Sequence, residues 1–171
     1  DVEFDTGPSV LTMVDVLDSL FAIAGTTTAA ELELLQSDDF RYLWPSGKQL
    51  DVKFTVADTA NAIRDTLGVD AAIEFATFLA YTKDIWDAAA PNFVYGNAPT
   101  AFSALKLGVS KFRDVLKIDA MRSMAAAING RVRDPHLRDL FMRYATYNGS
   151  NPWVAPATLN CIAWVELGLG A

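Results

Sequence analysis

A chain of 171 residues, half of them hydrophobic and a fifth charged, has the composition of one folded domain with a sizeable core, not of a disordered segment or of two full domains. A single cysteine, Cys161, and a single histidine, His136, exclude an internal disulfide and a Cys/His metal cluster, and no apolar run approaches the about 20 residues that a membrane-spanning helix needs. The net charge of −7 is uneven: residues 1–98 carry 5 basic and 16 acidic side chains, whereas residues 99–171 carry 9 and 5. The basic half suits a neighbouring domain or an anionic lipid face, and no nucleic-acid motif accompanies it.

In chain order, residues 10–24 predict an amphipathic helix, with Leu17, Leu20, Phe21 and Ala24 at helical spacing and Gly25 as its stop. Residues 31–44 predict a strand or a pair of short strands. Pro45, Ser46 and Gly47 form a turn signal, and residues 49–54 alternate as a returning strand. Such a hairpin is too small to stand alone, which implies that its sheet is completed elsewhere. The remainder reads as helical: residues 57–67 up to Gly68, residues 70–89 with Phe75, Phe78, Leu79, Ile85 and Trp86 buried, a loop over 91–99, and a helix to about residue 117. A short helix follows at residues 120–129. Asp134 then caps a helix with Pro135 at its first position, running to Tyr147 and stopping at Asn148 and Gly149; a last helix covers residues 155–167.

Several residues stand out. Asp5, Gly7, Pro8 and Ser9 place a carboxylate beside a turn that leads into a helix, and by residue type alone this is turn-and-cap chemistry. In residues 99–117, Phe102, Leu105, Val109, Phe112 and Leu116 make one apolar stripe flanked by Lys106, Lys111, Arg113 and Lys117. A basic amphipathic helix of this kind lies in a bilayer interface or faces a core, and Phe102, Lys106, Phe112 and Arg113 are the membrane-facing candidates. Tyr144 and Tyr147, three apart, share a helical face. His136, in the first turn of its helix, is expected in solvent, and Cys161 is expected to be a small buried residue. Gly168 and Gly170 follow a helix and lack a third glycine, so they are not a dinucleotide fingerprint.

Two stretches taken together, residues 4–12 and residues 143–159, resemble the flavin-dependent carotenoid desaturases, the phytoene and hydroxyneurosporene desaturase group, in order and over nearly the whole chain. The run Arg143-Tyr144-Ala145-Thr146-Tyr147 is similar to the hydroxyneurosporene branch. The resemblance implies a helix-dominated α+β fold with a small β-hairpin, the substrate-side domain of an amine-oxidase-like flavoprotein. Residues 1–171 would be one domain, a fragment whose FAD-binding Rossmann domain lies outside this chain. It implies that Asp5, Gly7, Pro8 and Ser9 are cofactor-proximal and that Lys83, Tyr144, Tyr147, Asn148 and Trp153 contact substrate. FAD would be bound by the parent protein and not by this chain alone; no metal is implied, and no catalytic residue is identified. Where the group often carries an acidic residue and an arginine, this chain has Ala80 and Lys83, so a phytoene-type proton relay lacks its acid. The implied activity is the introduction of C=C bonds into a polyene, with this chain inactive by itself. A related saturase or isomerase, and a non-catalytic helical module that binds a membrane or a partner protein, are the alternatives. The implied partners are a carotenoid or other polyene lipid, a peripheral membrane contact at the cytoplasmic face of the inner membrane, and a second copy through an exposed domain interface, with no nucleic acid.

Overall fold

Side-chain caps start three of the helices in the computed structural model, which describes residues 10–36, 39–96 and 117–170. Met13, in a left-handed conformation at φ 57°, turns the chain into α1 (Val14–Ile23), and the single turn α2 (Thr28–Glu31) follows. β1 (Phe40–Leu43) and β2 (Gln49–Val52) pair antiparallel, Phe40 opposite Val52 and Tyr42 opposite Leu50. α3 (Val56–Leu67) starts at Thr55, whose hydroxyl oxygen accepts from the Asp58 amide at 3.0 Å and donates to its carboxylate at 2.6 Å. Gly68, at φ 106°, separates it from α4 (Val69–Phe93), the longest helix described, at 25 residues. Ser123 caps α5 (Met124–Asn129), and Asp134 caps α6 (Pro135–Met142) by accepting from the His136 and Leu137 amides at 2.9 and 3.0 Å. The chain then tightens into 3-10 turns at Arg143–Asn148 and Ala157–Asn160, makes one α turn, α7 (Cys161–Trp164), and widens into a π turn at Val165–Leu169.

The core forms along one stripe of α4. Ala71, Phe75, Phe78, Leu79, Thr82 and Ile85 are buried at three- and four-residue spacing, and Phe78 and Phe75 meet Phe141 of α6 at centroid distances of 4.3 and 6.1 Å. Leu50 and Val52 of β2, Ile63 of α3, Met124 and Ile128 of α5, and Leu137 and Leu140 of α6 close around it. Each such side chain contributes about 1.5–3 kcal/mol through burial. The Glu74 carboxylate on α4 accepts from the backbone amides of Arg133 and Asp134 at 2.8 and 3.0 Å, which fixes where α6 begins. The Trp44 indole donates to Asp139 at 3.2 Å and fastens the hairpin to α6.

The expected helix-dominated α+β arrangement with a small hairpin is what forms, and among the described residues the sheet has two strands. Several boundaries differ. Residues 32–36 are irregular and only Phe40–Leu43 is strand, because the run before it holds no β-branched residue. α4 passes through Pro91, expected in a loop, because a proline in the last turn forfeits few helical bonds. Trp86 is half-buried, not part of the inner core. The helix expected to reach Tyr147 stops at Met142, and the last helix is divided among 3-10, α and π turns. His136, expected in solvent, is partly covered by the Trp44 ring, edge-on at 4.8 Å. Residues 1–9 and the stripe over 99–116 lie outside the described residues. Among the described residues no helix is long and apolar enough to cross a membrane.

Gly168 tests the packing of the final turn. A Cβ there would stand 2.5 Å from the Trp164 ring. Gly168→Ala is expected to cost about 1–3 kcal/mol as an overpacking change, read as a lower urea midpoint at unchanged slope. An unchanged midpoint contradicts this packing.

Candidate functional site

The last two charged residues of the chain, Arg143 and Glu166, meet in its interior. Glu166 is 5% exposed and sits on the π turn. Its Oε1 accepts from the Tyr144 hydroxyl at 2.8 Å and from Arg143 Nη2, and its Oε2 accepts from the Tyr147 hydroxyl. The 3-10 turn makes this possible: with three residues per turn, positions i and i+3 eclipse, so Tyr144 and Tyr147 reach the same carboxylate. The Arg143 guanidinium lies 4.6 Å from the Tyr144 ring centroid, 5.7 Å from that of Tyr42, and 5.9 Å from those of Phe40 and Tyr147. Two of those rings come from β1, so the hairpin is held to the C-terminal turns through the same cation.

Burial raises the Tyr144 phenol well above its ordinary range, with the Glu166 charge adding to it, and burial with the Glu166 hydrogen bond pushes Tyr147 up to about 12. Burial works against the Arg143 charge, but Tyr144, Tyr42 and Glu166 outweigh it and hold the guanidinium protonated. Both phenol protons and the cation are committed to Glu166. The cluster is a clamp, not a free proton acceptor.

The π turn carries the clamp to a cleft. Leu169 and Gly170, just beyond Glu166, line a cavity of about 840 Å³, within the roughly 300–1,000 Å³ typical of small-molecule sites. Its apolar walls are Leu11 and Val14 at the start of α1, Leu34 and Leu35 after α2, and Phe54, Trp86 and Leu169. Leu35 is 84% exposed, so this lining is open to solvent. Asp15, Glu33, Gln36 and Tyr95 supply polar groups. The Tyr95 hydroxyl donates to Asp15 Oδ2 at 3.3 Å, and the Trp86 ring stands edge-on to Tyr95 at 6.3 Å.

The residues singled out by sequence distribute unevenly. Tyr144 and Tyr147 converge on Glu166. Asn148 is exposed at the end of the 3-10 turn, before Gly149 at φ 56°. Trp153 is 64% exposed on a turn in which its amide donates to Asn151 Oδ1 at 2.9 Å. Lys83 is exposed on α4, with Nζ 2.5 Å from Asp87 and 5.5 Å from the Trp164 ring centroid. None of these five lines the cleft. Asp5, Gly7, Pro8, Ser9, Phe102, Lys106, Phe112 and Arg113 lie outside the described residues. Cys161 is half-buried, its thiol pushed up to about 11 by burial. Sequence reasoning passed over Glu166, although a lone acid in an apolar run is a signal for a buried, partnered carboxylate. The cleft lining had no comparable signal. Among the described residues no group of three or more His, Cys, Asp or Glu side chains could hold a metal ion.

No protein-family model matches the chain. Curated relatives do. Hydroxyneurosporene desaturase of Rubrivivax gelatinosus is 34% identical over 166 residues, covering 95% of this chain and 32% of that protein. The 4,4'-diapolycopene oxygenase of a Methylomonas species is 27% identical over 168 residues, covering 98% of this chain and 33% of that protein. The phytoene desaturase (lycopene-forming) of a Paracoccus species is 28% identical over 153 residues, covering 88% and 29%. The chain is thus a homologue of the carotenoid desaturases. Hydroxyneurosporene desaturases and phytoene desaturase-like proteins are its relatives at 27–34% identity. It spans about a third of the length of the curated relatives it matches.

Two measurements check the clamp. Arg143→Leu, which leaves Glu166 buried with its cation gone, is expected to cost about 3–5 kcal/mol. The double variant Arg143→Leu/Glu166→Leu should recover part of that loss, and additive losses from the two single variants would contradict the pairing. The second is a titration. All five tyrosines are raised, with burial the leading cause in each, and Tyr81 and Tyr147 reach about 12. Unfolded phenols lose their protons from about pH 10, while the folded ones keep theirs. The stability they contribute is therefore full below about pH 10 and is lost as pH rises toward 12. Near-ultraviolet absorbance of the folded chain should show no phenol titrating at the ordinary midpoint.

Proposed function

We propose that this chain is the substrate-binding part of an FAD-dependent carotenoid desaturase, a parent enzyme that introduces C=C bonds into a polyene, and that the cleft between α1, Phe54, Trp86 and Leu169 forms part of the polyene channel. The observation that carries this reading is the alignment with a hydroxyneurosporene desaturase over 95% of the chain. The cleft supports it on physical grounds. A polyene offers apolar surface and π faces and little else, and the walls answer with leucines and the rings of Phe54 and Trp86. The 4,4'-diapolycopene oxygenase relative favours a second reading, in which the same cleft presents its polyene for oxygenation.

The described residues do not fit a dinucleotide by themselves: β1 and β2 are an antiparallel hairpin, not the strand, glycine turn and helix that cradle a pyrophosphate. When bound by the parent protein, FAD supplies the acceptor for a hydride from the polyene. This chain's own contribution would be to hold the polyene extended and exclude water, with Glu166 and Arg143 fixing the turn that presents Leu169. Asp5, Gly7, Pro8 and Ser9 would lie beside the flavin, and Lys83, Tyr144, Tyr147, Asn148 and Trp153 would meet the polyene farther along its path. Residues 99–117, with Phe102, Lys106, Phe112 and Arg113, would rest on the membrane from which an insoluble substrate is drawn. Where the parent's other domain is lacking, the exposed apolar lining would favour association of copies.

Polyene binding is measurable on the chain itself, because Trp86 lines the cleft. Titration with a detergent-dispersed polyene should quench tryptophan emission saturably, and Trp86→Phe should remove most of that signal. Leu34→Glu, a charge in the apolar wall, is expected to weaken binding by about tenfold, the equivalent of roughly 1.4 kcal/mol. Absence of saturable quenching would count against the cleft as a polyene site.

A further inference from the structure

The loop that leads into α5 carries a charged cluster outside both the clamp and the cleft. Asp119 is held there at φ 53°, a left-handed conformation that a non-glycine residue keeps only when its surroundings fix it. Arg122 donates from Nε to Oδ1 at 2.9 Å and from Nη2 to Oδ2 at 2.6 Å, and the Tyr81 hydroxyl of α4 donates to Oδ2 at 2.6 Å. Burial works against the Asp119 charge, but the bonds from Arg122 and Tyr81, with the Arg131 charge, hold its carboxyl below the usual carboxylate range. The Arg131 guanidinium lies 3.9 Å from the Tyr81 ring centroid. Tyr81 thus positions both cations, Arg122 through its hydroxyl and Asp119, and Arg131 through its ring. A Cβ on Gly130, the residue before Arg131, would stand 4.0 Å from Arg122 Nη1, so the Arg122 guanidinium reaches the turn that carries Arg131.

We propose that Arg131 and Arg122 form a binding site for a phosphate group. The proposal stands apart from the polyene reading of the cleft. Two guanidiniums share one carboxylate, so the cluster keeps a positive charge in excess. The fork onto Asp119 uses Nε and Nη2 of Arg122 and leaves Nη1 outside it. Arg131 is exposed, and among the described residues no carboxylate pairs with it and no acceptor bonds its guanidinium. At 3.9 Å its cation is held by the face of the ring, which leaves its planar fork of N–H donors for another acceptor. A carboxylate has two oxygens, and one fork uses both. A phosphate group brings a third oxygen for Arg122 Nη1, and charge-assisted bonds of this kind are among the strong ones. Because both cations are positioned beforehand, binding avoids the ordering cost that a free surface arginine carries. A lipid headgroup and a soluble phosphate both supply such a group. A headgroup at this site would bring acyl chains toward Met121, which is 98% exposed beside Arg122.

The test follows the phosphorus NMR resonance of inorganic phosphate, at constant ionic strength, as it meets the unaltered chain, Arg131→Gln and Arg64→Gln. Arg64 lies on α3, outside the cluster, and its replacement removes the same charge. The expected result is saturable binding that Arg131→Gln weakens about tenfold, as the loss of hydrogen bonds from a charged donor does, and that Arg64→Gln leaves unchanged. Vesicles separate the two sources. Sedimentation with equal parts of phosphatidylglycerol and phosphatidylcholine but not with phosphatidylcholine alone, reversed by inorganic phosphate and lost in Arg131→Gln, supports the site with a lipid headgroup as its ligand. Phosphate binding without a preference for phosphatidylglycerol vesicles supports it with a soluble phosphate as ligand. The absence of both phosphate binding and phosphatidylglycerol-dependent sedimentation overturns the proposal. Binding that survives Arg131→Gln, or that Arg131→Gln and Arg64→Gln weaken equally, overturns it too. Arg131→Lys keeps the charge and serves if Arg131→Gln alters the fold: an ammonium lacks the planar fork, so undiminished binding by that variant also overturns the proposal.

Discussion

A carboxylate withdrawn from water must be met by charge and hydrogen-bond donors, or the interior around it will not close. Glu166 is met by Arg143, Tyr144 and Tyr147, and much of the C-terminal architecture follows from that requirement. The two tyrosines reach one carboxylate because their segment winds as a 3-10 turn, which puts every third side chain in line. Arg143 lies among rings from its own turn and from β1, so a hairpin too small to be stable alone is tied to the helices through a cation. Trp44 adds a second fastening at Asp139. Removing the charge pair would loosen elements far apart in sequence.

The clamp and the cleft are separate features, with only Leu167 and Gly168 between Glu166 and Leu169. Glu166 is locked, while Leu169 and Gly170 face open space. A rigid anchor behind an accessible wall is a useful arrangement for holding a flexible apolar ligand, because the wall does not have to be ordered when the ligand arrives. The opposite wall is of another kind. α1 buries none of its residues, and Ile23 is 86% exposed. Apolar surface of this extent is common where a ligand or another domain covers it.

The homology and the site chemistry bear on different questions. Sequence similarity along nearly the whole chain assigns it to the relatives of the carotenoid desaturases, and it does so without identifying any group that carries out chemistry. Glu166 is committed to Arg143, Tyr144 and Tyr147, and Ala80 and Lys83 stand where the resemblance places an acid and an arginine. Lys83 itself is paired with Asp87. What the described residues show is a buried clamp and an open apolar cleft.

Local signals settled the parts of the fold that local chemistry controls. Asp134 followed by Pro135 announced the start of α6, Gly68 marked the break between two helices, and the spacing of Phe75, Phe78 and Ile85 identified the stripe that became the core. The paired stretches at residues 4–12 and 143–159 were enough to point to these relatives, and Tyr144 and Tyr147 were recognisable as sharing a face. Their common partner was not, because Glu166 lies 19 and 22 residues beyond them and a hydrogen bond at that separation leaves no periodic trace. The cleft was equally hidden. Leu11, Leu34, Phe54, Trp86 and Leu169 are scattered over the chain, and only folding brings them to one wall. By itself the sequence determined that α3, α4 and the start of α6 are helical, which stripe of α4 is buried and which proteins this one is related to, since each depends on neighbours along the chain or on the order of residues. The tertiary structure alone decided what Glu166 is paired with and which apolar residues stay open to a ligand, since both depend on distances that the chain fixes only when it has folded.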